Sequence, residues 1–256
     1  MVILHEINEG PGFCLEELAP SELEFVRGLI SDQYLQRIGQ LQPDLVAMAR
    51  ARGIARYHML PIKFDHGKSW PKSARLLDAR FVEDFSRMGF FRRIRQQLGA
   101  SAVISHDELN WRLVRPHEQL DVGPIHADKW FWDAGYGYGS MPAGFDRFKV
   151  WMAIHTEPGA NGLCVKSNSH RQTWKHHFEV KDGVRKPVFD EDPDALAMEL
   201  LPLGAGSMVM FHDELLHGGV VNRGSLCRVS IELTVLFDRA DACRRMPGQH
   251  SRLAAV

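Results

Sequence analysis

Apolar side chains in the first hundred residues recur every three or four positions, the spacing of one face of an α-helix. A first helix is predicted from the capping-box spacing of Ser21 and Glu24, and it should end before Pro43. A second long helix is predicted to end before Gly99. The helices should buttress one face of a β-rich core. The first stripe consists of Leu23, Val26, Ile30 and Leu35, and the second of Phe81, Phe85, Met88, Phe91, Ile94 and Leu98.

After residue 100 the pattern favours strands. The apolar run Met208–Phe211 predicts a buried strand, and the residues after it predict a bend that carries His217. Residues 227–237 alternate with the period of a strand that has one apolar and one polar face. We expect the apolar face to pack against the helices and the polar face to point inward. The apolar face carries Val229, Ile231, Leu233 and Val235, and the polar face carries Arg228, Ser230, Glu232 and Thr234.

Composition limits the class of protein. A chain of 256 residues with 45% hydrophobic content can form one large core, so we predict a single domain over residues 1–256. The formal net charge of −1 argues against binding to nucleic acid or to an anionic membrane surface. Four cysteines without a CxxC pair indicate reduced thiols. The first residues lack the pattern of a signal peptide, so a soluble, cytoplasmic protein is expected; the oligomeric state is not predicted.

Candidate chemistry centres on His126, Asp128 and His217. His126 and Asp128 are two positions apart, so on an extended strand both side chains would project to the same side and could bind one ion. Two imidazoles and one carboxylate leave coordination positions open, which is the ligand set of non-haem Fe(II) oxygenases. Arg228 would offer a fork of donors to a dicarboxylate cosubstrate such as 2-oxoglutarate, and Ser230 could add a hydroxyl to the same anion.

Two other segments contain the same short His-x-acid pattern, 106–108 and 212–214. Each could be an ordinary surface pair, because thirteen histidines make chance matches common. Only His126 and Asp128 lie far enough before His217 and Arg228 to come from a different strand of a closed sheet.

From about Trp111 to Phe237 the chain resembles the phytanoyl-CoA dioxygenase-like (PhyH) family of Fe(II)/2-oxoglutarate-dependent oxygenases. The resemblance rests on the triad and on three further segments: 150–154, 161–171, and His217-Gly-Gly with Asn222. One departure is Ser167-Asn168, where the family usually has Pro-Gly before the histidine that is His170 here.

The resemblance implies a double-stranded β-helix, or jelly-roll, core over residues 101–240, with 1–100 as a mainly helical buttress. It also implies Fe(II) on the triad, the distal carboxylate of 2-oxoglutarate on Arg228, and a cosubstrate pocket lined by Trp151 and Trp111. With O2, such an enzyme converts 2-oxoglutarate to succinate and CO2 and usually hydroxylates an unactivated C–H bond. Family members that halogenate have a small residue in place of the carboxylate, so Asp128 argues against halogenation. Desaturation, epoxidation and ring closure share the same ligands.

Two segments are candidates for pocket walls. Residues 129–144 are rich in aromatic residues and glycine, a composition suited to a loop that closes over a substrate. Residues 172–196 are polar and charged and predict mainly a solvated loop. His155 and His170 are expected to be structural.

The substrate class stays open at this point, and a small metabolite or natural-product intermediate is our expectation. Two other functions remain as alternatives. A jelly roll with this ligand set could hold zinc or manganese and catalyse hydrolysis or isomerisation, with Arg228 binding a substrate anion. A non-catalytic binding protein on the same fold is the second alternative.

Overall fold

Most helices come before most strands along the chain. The structure, a computed structural model, describes residues 2–135, 141–181 and 183–245. The helices are α1 Val2–Asn8, α2 Pro20–Leu41, α3 Val46–Arg52, α4 His66–Ser69, α5 Lys72–Arg75, α6 Arg80–Arg87, α7 Gly89–Leu98, α8 Asp128–Asp133 and α9 Arg239–Arg244. The strands are β1 Phe13–Glu17, β2 Val103–Val114, β3 Phe145–His155, β4 Leu163–Val165, β5 His176–Lys181, β6 Val184–Phe189, β7 Glu199–Leu200, β8 Ser207–His212, β9 His217–Gly219 and β10 Arg228–Asp238.

The helix α2 confirms the first predicted helix, with a different cap. It ends at Leu41, before Pro43, and its buried residues continue the predicted stripe. The capping carboxylate is Glu22, whose Oε2 accepts a hydrogen bond from the backbone N–H of Ala19 at 2.9 Å. The predicted pair of Ser21 and Glu24 is therefore two positions too late at the cap, because Pro20 already begins the helix.

The second predicted helix is two helices, α6 and α7. Met88 between them has the extended backbone angles φ −64° and ψ 153°. Glu22 also explains the break, since its Oε1 accepts a hydrogen bond from the backbone N–H of Gly89 and so caps the start of α7. The predicted stripe stays in the core, with Phe85, Phe91 and Leu98 buried.

The main sheet has five antiparallel strands in the order β1-β8-β3-β10-β2. A three-stranded sheet, β7-β4-β9, and the hairpin β5-β6 complete the described strands. Antiparallel sheets with flanking helices confirm the predicted fold class. One strand of the main sheet comes from before residue 100, because β1 joins the edge of that sheet through β8.

The two faces of the main sheet differ in polarity. The apolar face of β10 packs into the large core cluster together with residues of α2, α6 and α7, as predicted. The other face borders a cavity that is also lined by β4 and β9 of the smaller sheet. None of the described helices combines the length and apolar character that a membrane crossing requires. The prediction of one domain over residues 1–256 stays a prediction.

Candidate metal centre and adjoining cavity

His126 and His217 are brought together by their backbones. The N–H of His126 donates to the carbonyl of His217 at 2.9 Å, and the N–H of His217 donates to the carbonyl of His126 at 3.0 Å. This antiparallel bridge places the two imidazole centroids 4.3 Å apart. The predicted strand through Asp128 is wrong, because Ala127 is extended but Asp128 is the first residue of α8.

The three side chains nevertheless share one side of this segment. Asp128 Oδ2 lies 3.4 Å from His217 Nε2, and Asp128 Oδ1 lies 3.7 Å from His126 Nε2. One donor atom from each residue lies within 4.8 Å of the other two, and no other group of three such donors occurs in the described residues. The structure thus selects this triad from the three His-x-acid matches.

Hydrogen bonds behind the imidazoles fix which nitrogen faces the site. His126 Nδ1 lies 2.8 Å from the carbonyl oxygen of Pro124, and His217 Nδ1 lies 3.0 Å from that of Leu215. A carbonyl can only accept, so each Nδ1 carries the proton and each Nε2 keeps a lone pair directed at the other ligands. Metal-binding histidines in proteins are usually oriented by this kind of outer hydrogen bond. The donor set therefore fits a divalent transition metal.

Electrostatics keep the ligands in their metal-binding forms. Burial, followed by the proximity of His126, lowers the pKa of His217 to about 4, so its imidazole is neutral at pH 7. Burial alone would raise the pKa of Asp128, but Lys149 and the two histidines outweigh it and hold that pKa far below its usual range. Asp128 is therefore an ionised carboxylate at neutral pH.

Lys149 belongs to a row of buried polar side chains beside the triad. Its ammonium group donates to Glu108 Oε2 and lies 3.9 Å from Asp128 Oδ1. The hydroxyl of Thr234 also donates to Glu108 Oε2. Glu108 is 1% exposed, so it is not the surface carboxylate that an ordinary surface pair would contain. One feature of the sequence points to this row of buried polar side chains, because Thr234 lies on the polar face of β10.

The third His-x-acid match is also partly buried. Asp213 forms an ion pair of 2.6 Å with Arg147, and burial raises the pKa of Asp213 despite that partner. His212 lies beside it outside the metal-ligand triad. The segment 212–214 is therefore structural in this fold.

A cavity of about 330 Å³ opens beside the triad. Arg228 lines it and is 4% exposed. Its Nη1 donates to Ser230 Oγ at 3.0 Å, whereas its Nε has no hydrogen-bond partner among the described residues. Arg228 thus keeps donor capacity for an anion in the cavity. Trp151 also lines the cavity, with its ring centroid 5.7 Å from the Arg228 guanidinium carbon.

Ser230 and Trp111 are placed differently from Trp151. Ser230 is fully buried behind Arg228, so its direct contact with a cosubstrate stays a prediction. Trp111 lies opposite Ile231 in the register of β2 and β10 and therefore faces the helices. Its Nε1 donates to Gln33 of α2 at 2.8 Å, and its ring packs on Trp70 at 5.3 Å. The prediction that Trp111 lines the cosubstrate pocket is wrong.

The two segments predicted as pocket walls contact each other. Trp130 of α8 stacks on His176 of β5, with the ring centroids 4.3 Å apart. It also stacks on Phe189 of β6, with the ring centroids 6.1 Å apart. Residues 172–196, predicted as a solvated loop, contain the β5-β6 hairpin, whose Lys186 and Pro187 line the cavity together with Phe131. The predicted closing loop includes residues 136–140, which lie outside the described residues.

Two of the segments on which the family resemblance rests have defined local structure. Asn161 Nδ2 donates to Asn222 Oδ1 at 2.8 Å in a buried contact between two loops. Asn168, at the position where the family usually has glycine, adopts the left-handed angles φ 65° and ψ 6°. Asparagine tolerates this conformation better than most residues, so this turn before His170 can form with asparagine in place of glycine.

Solved structures resemble this chain in fold. ThoJ, a non-heme monooxygenase in its apo form, is 17% identical with a TM-score of 0.55, and the match covers 92% of this chain and 78% of ThoJ. EvdO2 from Micromonospora carbonacea var. aurantiaca, complexed with 2-oxoglutarate, is 16% identical with a TM-score of 0.54, and the match covers 91% of this chain and 89% of EvdO2. At these identities the similarity shows the fold alone.

Sequence comparison gives the family directly. No curated protein sequence matches this chain significantly. Residues 32–230 match the family described as Phytanoyl-CoA dioxygenase (PhyH), and this range is well over half of the 256 residues. It contains the triad, Arg228 and all three segments on which the resemblance rested. The chain belongs to the phytanoyl-CoA dioxygenase (PhyH) family.

Proposed function

We propose that this protein is an Fe(II)- and 2-oxoglutarate-dependent dioxygenase that hydroxylates a C–H bond of a small metabolite or natural-product intermediate. The main support is one arrangement: the Nε2 atoms of two histidines and an ionised Asp128 face a cavity that also contains a buried arginine with unused donors. PhyH membership and the oxygenase fold agree with it.

His126, Asp128 and His217 would hold the iron. When bound, the metal supplies the site at which 2-oxoglutarate and O2 react. The overall reaction balances, since 2-oxoglutarate, O2 and R–H give succinate, CO2 and R–OH. The retained carboxylate of Asp128 fills the position that a halide would need, so halogenation is not proposed.

The protein would orient the cosubstrate through Arg228. A guanidinium presents two parallel N–H donors to a carboxylate, and burial strengthens that interaction because little water competes. Ser230 holds one arm of the fork through its hydroxyl. Trp151 bounds the space beside it, and the apolar residues behind the cavity exclude water from the reacting atoms.

The test is the visible charge-transfer absorption that forms when Fe(II) and 2-oxoglutarate are added to the apoprotein without oxygen. We expect a band in the wild type, a weaker band in Arg228→Ala at equal 2-oxoglutarate, and none in His217→Ala. Two variants serve as matched controls: Arg223→Ala, because Arg223 is exposed, and His212→Ala, because His212 lies outside the triad. Both should retain the band.

A folded wild-type protein that binds metal but gives no band would overturn the proposal. A zinc or manganese hydrolase, or a binding protein, would then be the better interpretation. Conversion of 2-oxoglutarate to succinate with Fe(II) and O2 provides an independent readout, because uncoupled turnover needs no knowledge of the substrate.

A further inference from the structure

The cavity wall contains more cationic than anionic groups. Among the described residues, six cationic side chains line it: Lys72, Arg75, Arg112, Lys149, Lys186 and Arg228. Three carboxylates line it: Glu108, Asp128 and Glu232. A divalent metal and the two carboxylates of 2-oxoglutarate cancel each other in charge, so loading the site would leave the excess positive charge in place.

Part of this excess already has a structural use. Lys149 is engaged with Glu108 and Asp128. Arg75 donates from Nε to the carbonyl of Trp70 at 2.9 Å and from Nη1 to that of Trp111 at 2.7 Å. Arg228 is the group reserved for the cosubstrate. Burial lowers the pKa of Lys72, and its interaction with the charge of Glu108 opposes that lowering. Arg112 and Lys186 remain to be explained.

Arg112 is placed at the cavity by its strand. It lies directly opposite Ser230 in the β2-β10 register, on the inward face. A Cβ added to Gly123 would lie 2.9 Å from Arg112 Nη2, so the guanidinium fits closely against this glycine. In the described part of the chain, Arg112 forms no hydrogen bond or ion pair through its side chain. Glu232 is near enough to have its pKa lowered by Arg112, although burial opposes that shift.

Lys186 reaches the same cavity from the β5-β6 hairpin. It is half-buried, and within the described residues its ammonium group has no ion-pair partner. Two cationic groups that form no side-chain hydrogen bond or ion pair among the described residues, one on the main sheet and one on the hairpin, border this cavity. Such a space attracts anions, because charged groups interact more strongly where solvent screening is reduced.

We propose that the substrate is a small anion whose carboxylate or phosphate group binds between Arg112 and Lys186. The proposal rests on the proposed function, because it assigns Arg228 to the cosubstrate. Arg112 and Lys186 would then be specificity-determining residues, selecting the substrate by charge while the rest of the cavity selects it by size.

The experiment uses four probes of similar size: butyrate, n-butyl phosphate, n-butylammonium and n-butanol. Each is titrated anaerobically against the wild-type protein saturated with Fe(II) and 2-oxoglutarate, and binding is followed by ligand-observed NMR and by perturbation of the charge-transfer band. We expect butyrate or butyl phosphate to bind at least about tenfold more tightly than the other two, as one charge-assisted hydrogen bond would give. The preferred anion distinguishes a carboxylate from a phosphate substrate.

Three variants test the residues. Arg112→Gln and Lys186→Gln should each weaken anion binding about tenfold. Gly123→Ala should act like Arg112→Gln, because the new methyl group displaces the tip of a flexible side chain rather than backbone. Exposed Arg185, next to Lys186 in β6, gives the matched control Arg185→Gln, which should bind the anion as the wild type does.

A preference for n-butylammonium, or no preference by charge, would overturn the proposal. A preference for n-butylammonium would point to Glu232 as the group that binds the substrate. It would also be overturned if Arg112→Gln weakened 2-oxoglutarate binding as much as anion binding, because Arg112 would then belong to the cosubstrate site. Failure of the proposed function is recognised separately, by a missing charge-transfer band in the wild type before any probe is added.

Discussion

The two faces of strand β10 show how one segment serves two purposes. Val229, Ile231, Leu233 and Val235 are all fully buried against the helical layer. Arg228, Ser230, Glu232 and Thr234 face the interior of the fold and form or support the cavity. Successive side chains of a strand point to opposite sides, so a single stretch of eight residues supplies both sets.

The two faces of β10 also differ in how they contribute to stability. On the apolar face, stability comes from removing hydrocarbon from water, and any residue of the right volume can contribute. On the polar face, each buried group needs a partner, or it costs free energy. The polar face therefore stabilises the fold only where its charges are paired, and the unpaired groups are the ones available to ligands.

The largest expected effect breaks a pair on the polar side. Lys149→Met should lower the free energy of unfolding by about 3–5 kcal/mol, because Glu108 is left as a buried carboxylate without its cation. The double variant Lys149→Met/Glu108→Leu should recover most of that loss. Urea unfolding of the apoproteins measures both. Equal instability of the single and double variants would show that the pair contributes by shape rather than by charge.

A cavity on the apolar face comes next. Ile231→Ala should cost about 2–5 kcal/mol of unfolding free energy, because Ile231 is fully buried and its neighbours can collapse only partly. The folded protein should keep its affinity for 2-oxoglutarate. Ser230→Ala, at the adjacent position on the other face, should reverse this pattern: weaker cosubstrate binding with a smaller change in stability. If both variants changed both properties, the two faces would not be separable.

Trp111 and Trp151 test the same comparison of the two faces, with smaller expected effects. Trp111→Phe should cost about 1 kcal/mol through loss of the hydrogen bond to Gln33, and it should leave 2-oxoglutarate binding unchanged. Trp151→Phe should instead alter cosubstrate binding, because Trp151 lines the cavity beside Arg228. Isothermal titration with 2-oxoglutarate in the presence of Zn(II) compares them without turnover. A Trp111 variant that binds the cosubstrate poorly would contradict its placement among the helices.

A further expected effect concerns pH. Burial, aided by Arg27, lowers the pKa of His155 to about 4 from the ordinary 6.5. The unfolded chain therefore binds a proton that the folded protein does not between these values, so stability should fall as the pH drops from about 6.5 to about 4. In His155→Gln the difference in unfolding free energy between pH 7 and pH 5 should be smaller. An unchanged difference would show that other groups carry the acid sensitivity.

How far the sequence could be interpreted varied by element. The alternating run of β10 was predicted well, since a period of two is strong evidence when one face is buried. The break at Met88 was missed because it depends on Glu22, 66 residues earlier in the chain. The strand β1 was missed because five residues carry too little periodicity, and its pairing with β8 decides its structure.

By itself, the sequence determined the residues that can bind a metal and a dicarboxylate, because donor chemistry belongs to the side chains: two imidazoles, a carboxylate and a guanidinium at recognisable spacing. Only the tertiary structure decided that Trp111 faces the helices, that Glu108 and Lys149 support Asp128, and that Arg112 and Lys186 meet at one cavity. These relations join distant segments, and local sequence does not encode which distant side chains will share a buried space.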